Sequence, residues 1–168
     1  MELRFREIVA SDVDRLAGWM TGQTWPYHSL VKVDASWVRE RAASEYFFGD
    51  TTRSFWALAD DGATIVGLAR VFDLADVTPL VDLRIGDDSR GQGAGTALLR
   101  WLTQWVFDSH PATHRLGGYT RHDNHAMRRV FEKCHFTQEA HHRQAWRIDA
   151  NRFADAVGYA ILRADWHG

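Results

Sequence analysis

Apolar and polar positions along this chain change period several times, and each change marks an element. Leu3, Arg4, Phe5 and Arg6 alternate with the period of two that a half-buried strand needs. Ser11, with Asp14 three residues later, reads as an N-cap ahead of Val13, Leu16, Ala17 and Met20, the spacing of one helix face. Residues 22–34 show no period and read as a loop, after which a second helix starts near Ala35 or Ser36 and runs toward Tyr46. Residues 54–59 and 64–71 are rich in strand formers, and Asp60-Asp61-Gly62 between them is turn chemistry, so the two pair as an antiparallel hairpin. Residues 81–86 form a third strand of this half.

From Thr96 the period lengthens, because Leu98, Trp101, Leu102, Trp105 and Val106 recur at the spacing of an amphipathic helix. Residues 115–120 are the next strand candidate, and Met127, Val130, Phe131 and Cys134 stripe one face of a further helix. Residues 145–148 are strand-like, while 156–162 fit either a helix or a strand. With no repeat, low-complexity tract or linker, a single domain over 1–168 is expected, and 45% hydrophobic content is enough for a sizeable core. Most of the eight tryptophans are expected to fill it.

Charge and cysteine content remove several function classes. A formal charge of -2 supplies no overall basic field, so nucleic acid is not an expected partner. Cys134 is alone, which rules out an internal disulfide, and neither a leader-like opening nor a membrane-length apolar run is present. A reducing, cytoplasmic setting with no membrane partner is the expectation. The nine histidines include the pairs His110 and His114, His122 and His125, and His141 and His142, but no spacing supplies enough ligands for a closed site, so no metal is expected.

The candidate chemistry lies at the strand, turn and helix of residues 81–97. Gly91, Gly93 and Gly95 alternate, which lets successive N–H groups turn inward just where a helix adds its unpaired amides and positive dipole end. That is a cradle for a pyrophosphate. A nucleotide-hydrolysing P-loop would need Lys and then Ser or Thr after its last glycine, where this chain has Thr96 and Ala97. A dinucleotide fingerprint counted from Gly91 and Gly93 would need glycine where Thr96 stands, and the elements do not alternate as strand, helix, strand.

Arg90, Gly93 and Gly95 instead meet an Arg-x-x-Gly-x-Gly pattern, and here the chain resembles the GNAT superfamily of acyl-CoA-dependent N-acyltransferases. The run from Asn124 to Phe136, with Ala126, Arg129, Val130, Glu132 and Lys133 inside it, is similar to a second conserved helix of that family at the expected distance. Residues 155–162 with Trp166 resemble the last strand of the branch that includes ribosomal-protein N-terminal acetyltransferases. The resemblance implies an α+β fold, with a mixed, mainly antiparallel sheet of six to seven strands flanked by helices. Strands four (81–86) and five (115–120) would splay apart to admit acetyl-CoA. It also implies that Arg90 and Gly91 open the cofactor segment and that the amides of Gln92, Gly93, Ala94, Gly95 and Thr96 hold the pyrophosphate. Those near Leu83 and Ile85 would bind pantetheine and the acyl carbonyl, with Asn124 on pantetheine and Arg129 or Lys133 at a phosphate.

Transfer to an amine needs a proton acceptor, since an alkyl ammonium has a pKa of about 10. Asp82, on the strand beside the thioester, is the first candidate for that base and for contact with the acceptor, and the Ile85 amide for the developing oxyanion. Phe131 and Met127 stand where many family members carry Tyr or Ser, so Tyr119, Tyr159 or water would protonate the leaving thiolate. His135 replaces a glycine and is expected to end its helix in a left-handed conformation. Several alternatives stay open. Arg128, Arg129 and Lys133 fit either phosphate contacts or a solvated face. Trp25, Tyr27 and His28 shape either an acceptor pocket or a self-packed loop. Asp73, Asp76, Asp82, Asp87 and Asp88 suit either a cationic acceptor or simple turns. The acceptor is an amine, small or a protein N-terminus, a homodimer is left open, and the competing reading is a silent acyl-CoA-binding module.

Overall fold

A computed structural model describes residues 2–168. Strands β1 (Arg4–Glu7), β2 (Arg53–Leu58), β3 (Ile65–Phe72) and β4 (Leu80–Ile85) pair antiparallel in chain order. Beyond them lie β5 (Arg115–Arg121), β6 (Thr137–Arg147) and β7 (Phe153–Leu162), giving one seven-stranded sheet in the order β1-β2-β3-β4-β5-β7-β6. Among the described residues only β4 and β5 run parallel, and they share a single register pair, Leu80 with Gly117. The expected mixed, mainly antiparallel α+β architecture and its splayed fourth and fifth strands are both present.

Four helices flank the sheet: α1 (Val13–Thr21), α2 (Ala35–Ala43), α3 (Ala94–Ser109) and α4 (His125–Lys133). On one face α3 and α4 cover a core in which Leu98, Leu99, Leu102 and Val106 are fully buried. Burying each such side chain contributes about 1.5–3 kcal/mol, which is why the long period from Thr96 becomes a helix. On the other face α1, α2 and the 22–34 loop close over a second core around Leu16, Met20, Trp25 and Trp56. Strand β4 separates the two: Val81 and Leu83 enter the first core, while Arg84 turns to the second side, over the Trp25 ring at 5.0 Å.

Element ends depart from the sequence reading in ways the chemistry explains. Ser11 is exposed and caps nothing. Asp12 stands at the N-cap position of α1, but its carboxylate bonds backward across a short turn over Ala10–Asp12, accepting the Val9 N–H at 3.0 Å and two Arg6 hydrogen bonds at 2.8 and 3.0 Å. Helix α2 is capped by Asp34, which accepts the Trp37 N–H, and it stops at Ala43 rather than near Tyr46, with Glu45 left-handed just beyond. Residues 156–162 resolve as strand because they sit between β5 and β6, paired on both sides and largely buried. The segment at 145–148 is the end of a longer strand, β6, whose exposed and mostly polar residues carry little apolar period. His135 adopts φ 65, ending α4 as expected.

Phe131, on α4, lies flat against Tyr159 with ring centroids 4.9 Å apart and packs where Gly118 leaves room. A Cβ on Gly118 would stand 2.8 Å from the Phe131 ring, whose stacking partner blocks retreat. Gly118→Ala is therefore expected to lose about 1–3 kcal/mol in urea unfolding, and an unchanged midpoint would show that the ring swings aside. Cys134 is fully buried at the end of α4, and burial pushes its thiol up to about 11. A neutral, inaccessible thiol does not attack disulfide reagents. Dithiobis-nitrobenzoate should therefore find no reactive thiol in the native protein and one after denaturation; labelling of the native protein at a comparable rate would contradict the burial.

Candidate active site

Register decides which backbone donors reach the gap between β4 and β5. Gly86 N–H bonds to Val66 O at 3.0 Å, and in an antiparallel ladder every second residue of a strand shares that direction. The N–H groups of Leu83 and Ile85 therefore point away from β3 and into the gap, where β5 has already diverged. Both residues line a cleft of about 360 Å³ that runs to the start of α3.

At that start Gly91 and Gly93 have φ 75 and 87, a left-handed geometry that only glycine adopts without cost. Gly93 caps α3, and the first helical bond there is from Ala97 N–H to Gly93 O. The amides of Ala94, Gly95 and Thr96 thus lack intrahelical acceptors and sit at the positive end of the helix dipole. Gly91, Gly93, Ala94, Gly95 and Thr96 all line the cleft, whereas Gln92 does not, its side chain bonding back to Asp88 O at 2.7 Å.

Arg90 also borders the cleft, but its guanidinium is engaged within the protein. It bonds Ile85 O at 3.2 Å, Thr24 O, and the Asp87 carboxylate at 2.8 Å. Its contribution is to fasten the 22–34 loop to the end of β4. Asp87 helps by accepting from the Thr24 N–H and hydroxyl. At the other margin Arg121 of β5 bonds Pro26 O and lies over the Tyr27 ring at 5.0 Å, so the loop spans the open ends of both strands.

Across the cleft, Asn124 caps α4 by accepting the Met127 N–H at 3.2 Å and donates to Thr120 Oγ1 at 2.9 Å, which leaves it one amide hydrogen. Arg129 and Lys133 face the cleft beside the glycine turn. Arg128 points elsewhere, bonding Tyr159 Oη, His122 O and Gln138. The basic face thus divides into two cleft cations and one structural residue. The donor set fits coenzyme A: diphosphate to the turn amides, further phosphate to the two cations, and the pantetheine amides to the strand edge.

The expected substrate residues fare differently. Trp25 is 1% exposed and bonds Met20 O through its indole N–H, so it belongs to the second core while also bordering the cleft. Tyr27 is half-buried at the cleft mouth. Asp82 turns its carboxylate to His28, whose Nε2 is 3.1 Å away, with Arg84 Nε at 3.8 Å and Arg70 Nε at 4.0 Å. Burial alone would raise this carboxyl, but the charge and hydrogen bond of His28, backed by Arg84 and Arg70, hold it below the usual carboxylate range. The ionised form of Asp82 is thus favoured, and its nearest polar partner is the His28 ring.

The Tyr159 hydroxyl is buried and shared among Arg128, Glu132 and Gln138. Of the other aspartates, Asp76 holds the Thr78 turn and Asp73 turns the chain at φ 59. His28, Arg70 and Arg84 were not singled out from the sequence as a charged group. The signal was present in part, since Asp82 and Arg84 are alternate residues of one strand and so share a face.

Residues 2–137, well over half of the chain, match the family described as the acetyltransferase (GNAT) domain. The spermidine N-acetyltransferase from Vibrio cholerae in complex with CoA and spermine has a similar structure, with TM-score 0.81 and 16% identity over 97% of this chain and 96% of that one. A probable acetyltransferase is also similar, with TM-score 0.76 and 19% identity over 98% of this chain and 94% of that one. No curated protein matches in sequence. With the parted strands, the glycine turn and the family match in agreement, the chain belongs to the GNAT acetyltransferase family, whose acetyl donor is acetyl-CoA.

Proposed function

We propose that this protein is an N-acetyltransferase that moves the acetyl group of acetyl-CoA to the amine of a small molecule by direct attack in a ternary complex. The observation that carries the reading is the gap between β4 and β5, open from Leu80 onward and edged by the Leu83 and Ile85 amides. The likeness to a polyamine acetyltransferase supports a small amine acceptor over a protein one.

The Gly93 to Thr96 amides would hold the diphosphate, with Arg129 and Lys133 beside it, and the Leu83 and Ile85 amides would take the pantetheine and the acyl oxygen. His28 serves as the base. Arg84 and Arg70 also favour the ionised form of Asp82, which can then only accept, so a His28 ring with one proton carries it on Nε2 and presents Nδ1 as the acceptor. As the amine nitrogen bonds to the acyl carbon, its proton passes to His28 and the carbon–sulfur bond breaks. A thiolate with a reference pKa of about 8.5 leaves with water or Tyr119, which borders the acceptor side, as proton source.

Acetyl-CoA should raise the melting temperature, and free thiol should appear when a panel of amines is added. His28→Ala is expected to lower kcat by about 10²- to 10⁴-fold while the acetyl-CoA-induced thermal shift persists. Stabilisation without thiol release from any amine would favour the silent binding module, and absence of stabilisation would reject both readings.

A further inference from the structure

A second cavity, of about 560 Å³, lies on the α1 and α2 side of β4 and shares His28 and Arg84 with the cofactor cleft. Its charged lining is lopsided, with Arg41, Arg70 and Arg84 against the single carboxylate of Asp82. The Arg84 side chain is 4% exposed, and among the described residues its Nε and Nη1 make no hydrogen bond. The Arg70 side chain is 11% exposed, and its Nε is likewise unbonded, although its Nη1 reaches Tyr46 O at 3.2 Å. At 3.8 and 4.0 Å from Asp82 Oδ2, both are too far for hydrogen bonds to that carboxylate.

Buried guanidinium donors that lack a hydrogen-bond acceptor are costly, and a carboxylate entering this cavity would complete them. Arg70 is also fixed in place, stacked over Tyr46 at 3.7 Å and Phe72 at 4.2 Å. We infer that the acceptor is an amine carrying a carboxylate close to its nitrogen, an amino acid rather than a polycation, with that carboxylate on Arg84 and Arg70. The inference rests on the transfer reading above and specifies its substrate class.

The geometry fits such a molecule at both ends. A carboxylate supplies paired acceptors that match guanidinium donors. The nitrogen then lies next to Asp82 and His28, within reach of the base, because one short molecule spans neighbouring groups of opposite sign. A polycation would meet three guanidiniums and a carboxylate already paired with His28. Trp37, Phe72, Tyr119 and Trp146 line the rest of the cavity, so an apolar or aromatic side chain suits it.

The test compares each acid with its amide: phenylalanine with phenylalaninamide, leucine with leucinamide, β-alanine with β-alaninamide, plus spermidine, at saturating acetyl-CoA with release of free thiol as readout. At least one acid should exceed its amide by about tenfold or more in kcat/KM, because a site built to bond a group rejects the analogue lacking it. In Arg70→Met, whose parent side chain does not border the cofactor cleft, that preference should shrink to about twofold or less while acetyl-CoA stabilisation is kept. A general packing defect would slow acid and amide alike and leave their ratio unchanged. If the variant does not fold, the native protein still decides: with CoA bound, N-acetylphenylalanine should raise the melting temperature more than N-acetylphenylalaninamide. Equal or better use of amides or spermidine overturns the inference, as does equal stabilisation by the two products where nothing turns over. Equal or better use of amides or spermidine removes this inference alone, since transfer is then observed. Equal stabilisation by the products where no amine turns over removes it together with the transfer reading and leaves the binding module, and loss of acetyl-CoA stabilisation removes both readings.

Discussion

Strand β4 has a hydrogen-bonding partner along its whole length on one side and at a single residue on the other. In the middle of a sheet that asymmetry is expensive, since each buried amide left unpaired costs about as much as a lost hydrogen bond. It persists because α4 supports it from below: Phe131, stacked on Tyr159, fills the space under Gly118 and beside Val81, where the two strands diverge. From above, the 22–34 loop is fastened to β4 through Arg90 and to β5 through Arg121, which fixes the width of the opening. The cofactor cleft follows from these three constraints.

The sequence made the first face of the protein legible and the second much less so. Helix α3 was visible because its apolar residues recur at the right spacing and end up fully buried, and the turn before it was visible because Gly91 and Gly93 adopt backbone angles few other residues tolerate. Those signals are local. What was lost depends on residues far apart in sequence: Arg70 faces Asp82 only because β3 and β4 pair in that register, and His28 reaches the same carboxylate from a loop fifty-four positions away. Periodicity shows that a strand has two faces but not which charges from other strands will stand opposite. Polar β6 was underestimated for the converse reason, since an exposed edge strand carries little apolar period to detect.

The same non-local pairing gives Asp82 surroundings that its own segment of sequence did not disclose. A carboxylate alone near a cleft would be raised by burial and could exchange protons; with a histidine and two arginines around it, the charged form is favoured instead. Its ionisation then becomes useful in a different way, because a permanent acceptor fixes the tautomer and orientation of the imidazole beside it. On the proposed reading, the proton-accepting role moves one residue outward, from the strand to the loop.

That displacement has a structural logic. His28 and Arg84 border both cavities, so the wall between them is about one strand thick at that point. Groups that must meet an acyl donor on one side and an amine on the other can stand only where β4 lacks its partner. A residue within a fully paired strand would face one layer or the other. On the proposed reading, the unpaired edge that frees the Leu83 and Ile85 amides for the donor would also let residues of the opposite layer approach the acyl carbon, so that one gap in the hydrogen-bond ladder would serve both halves of the reaction.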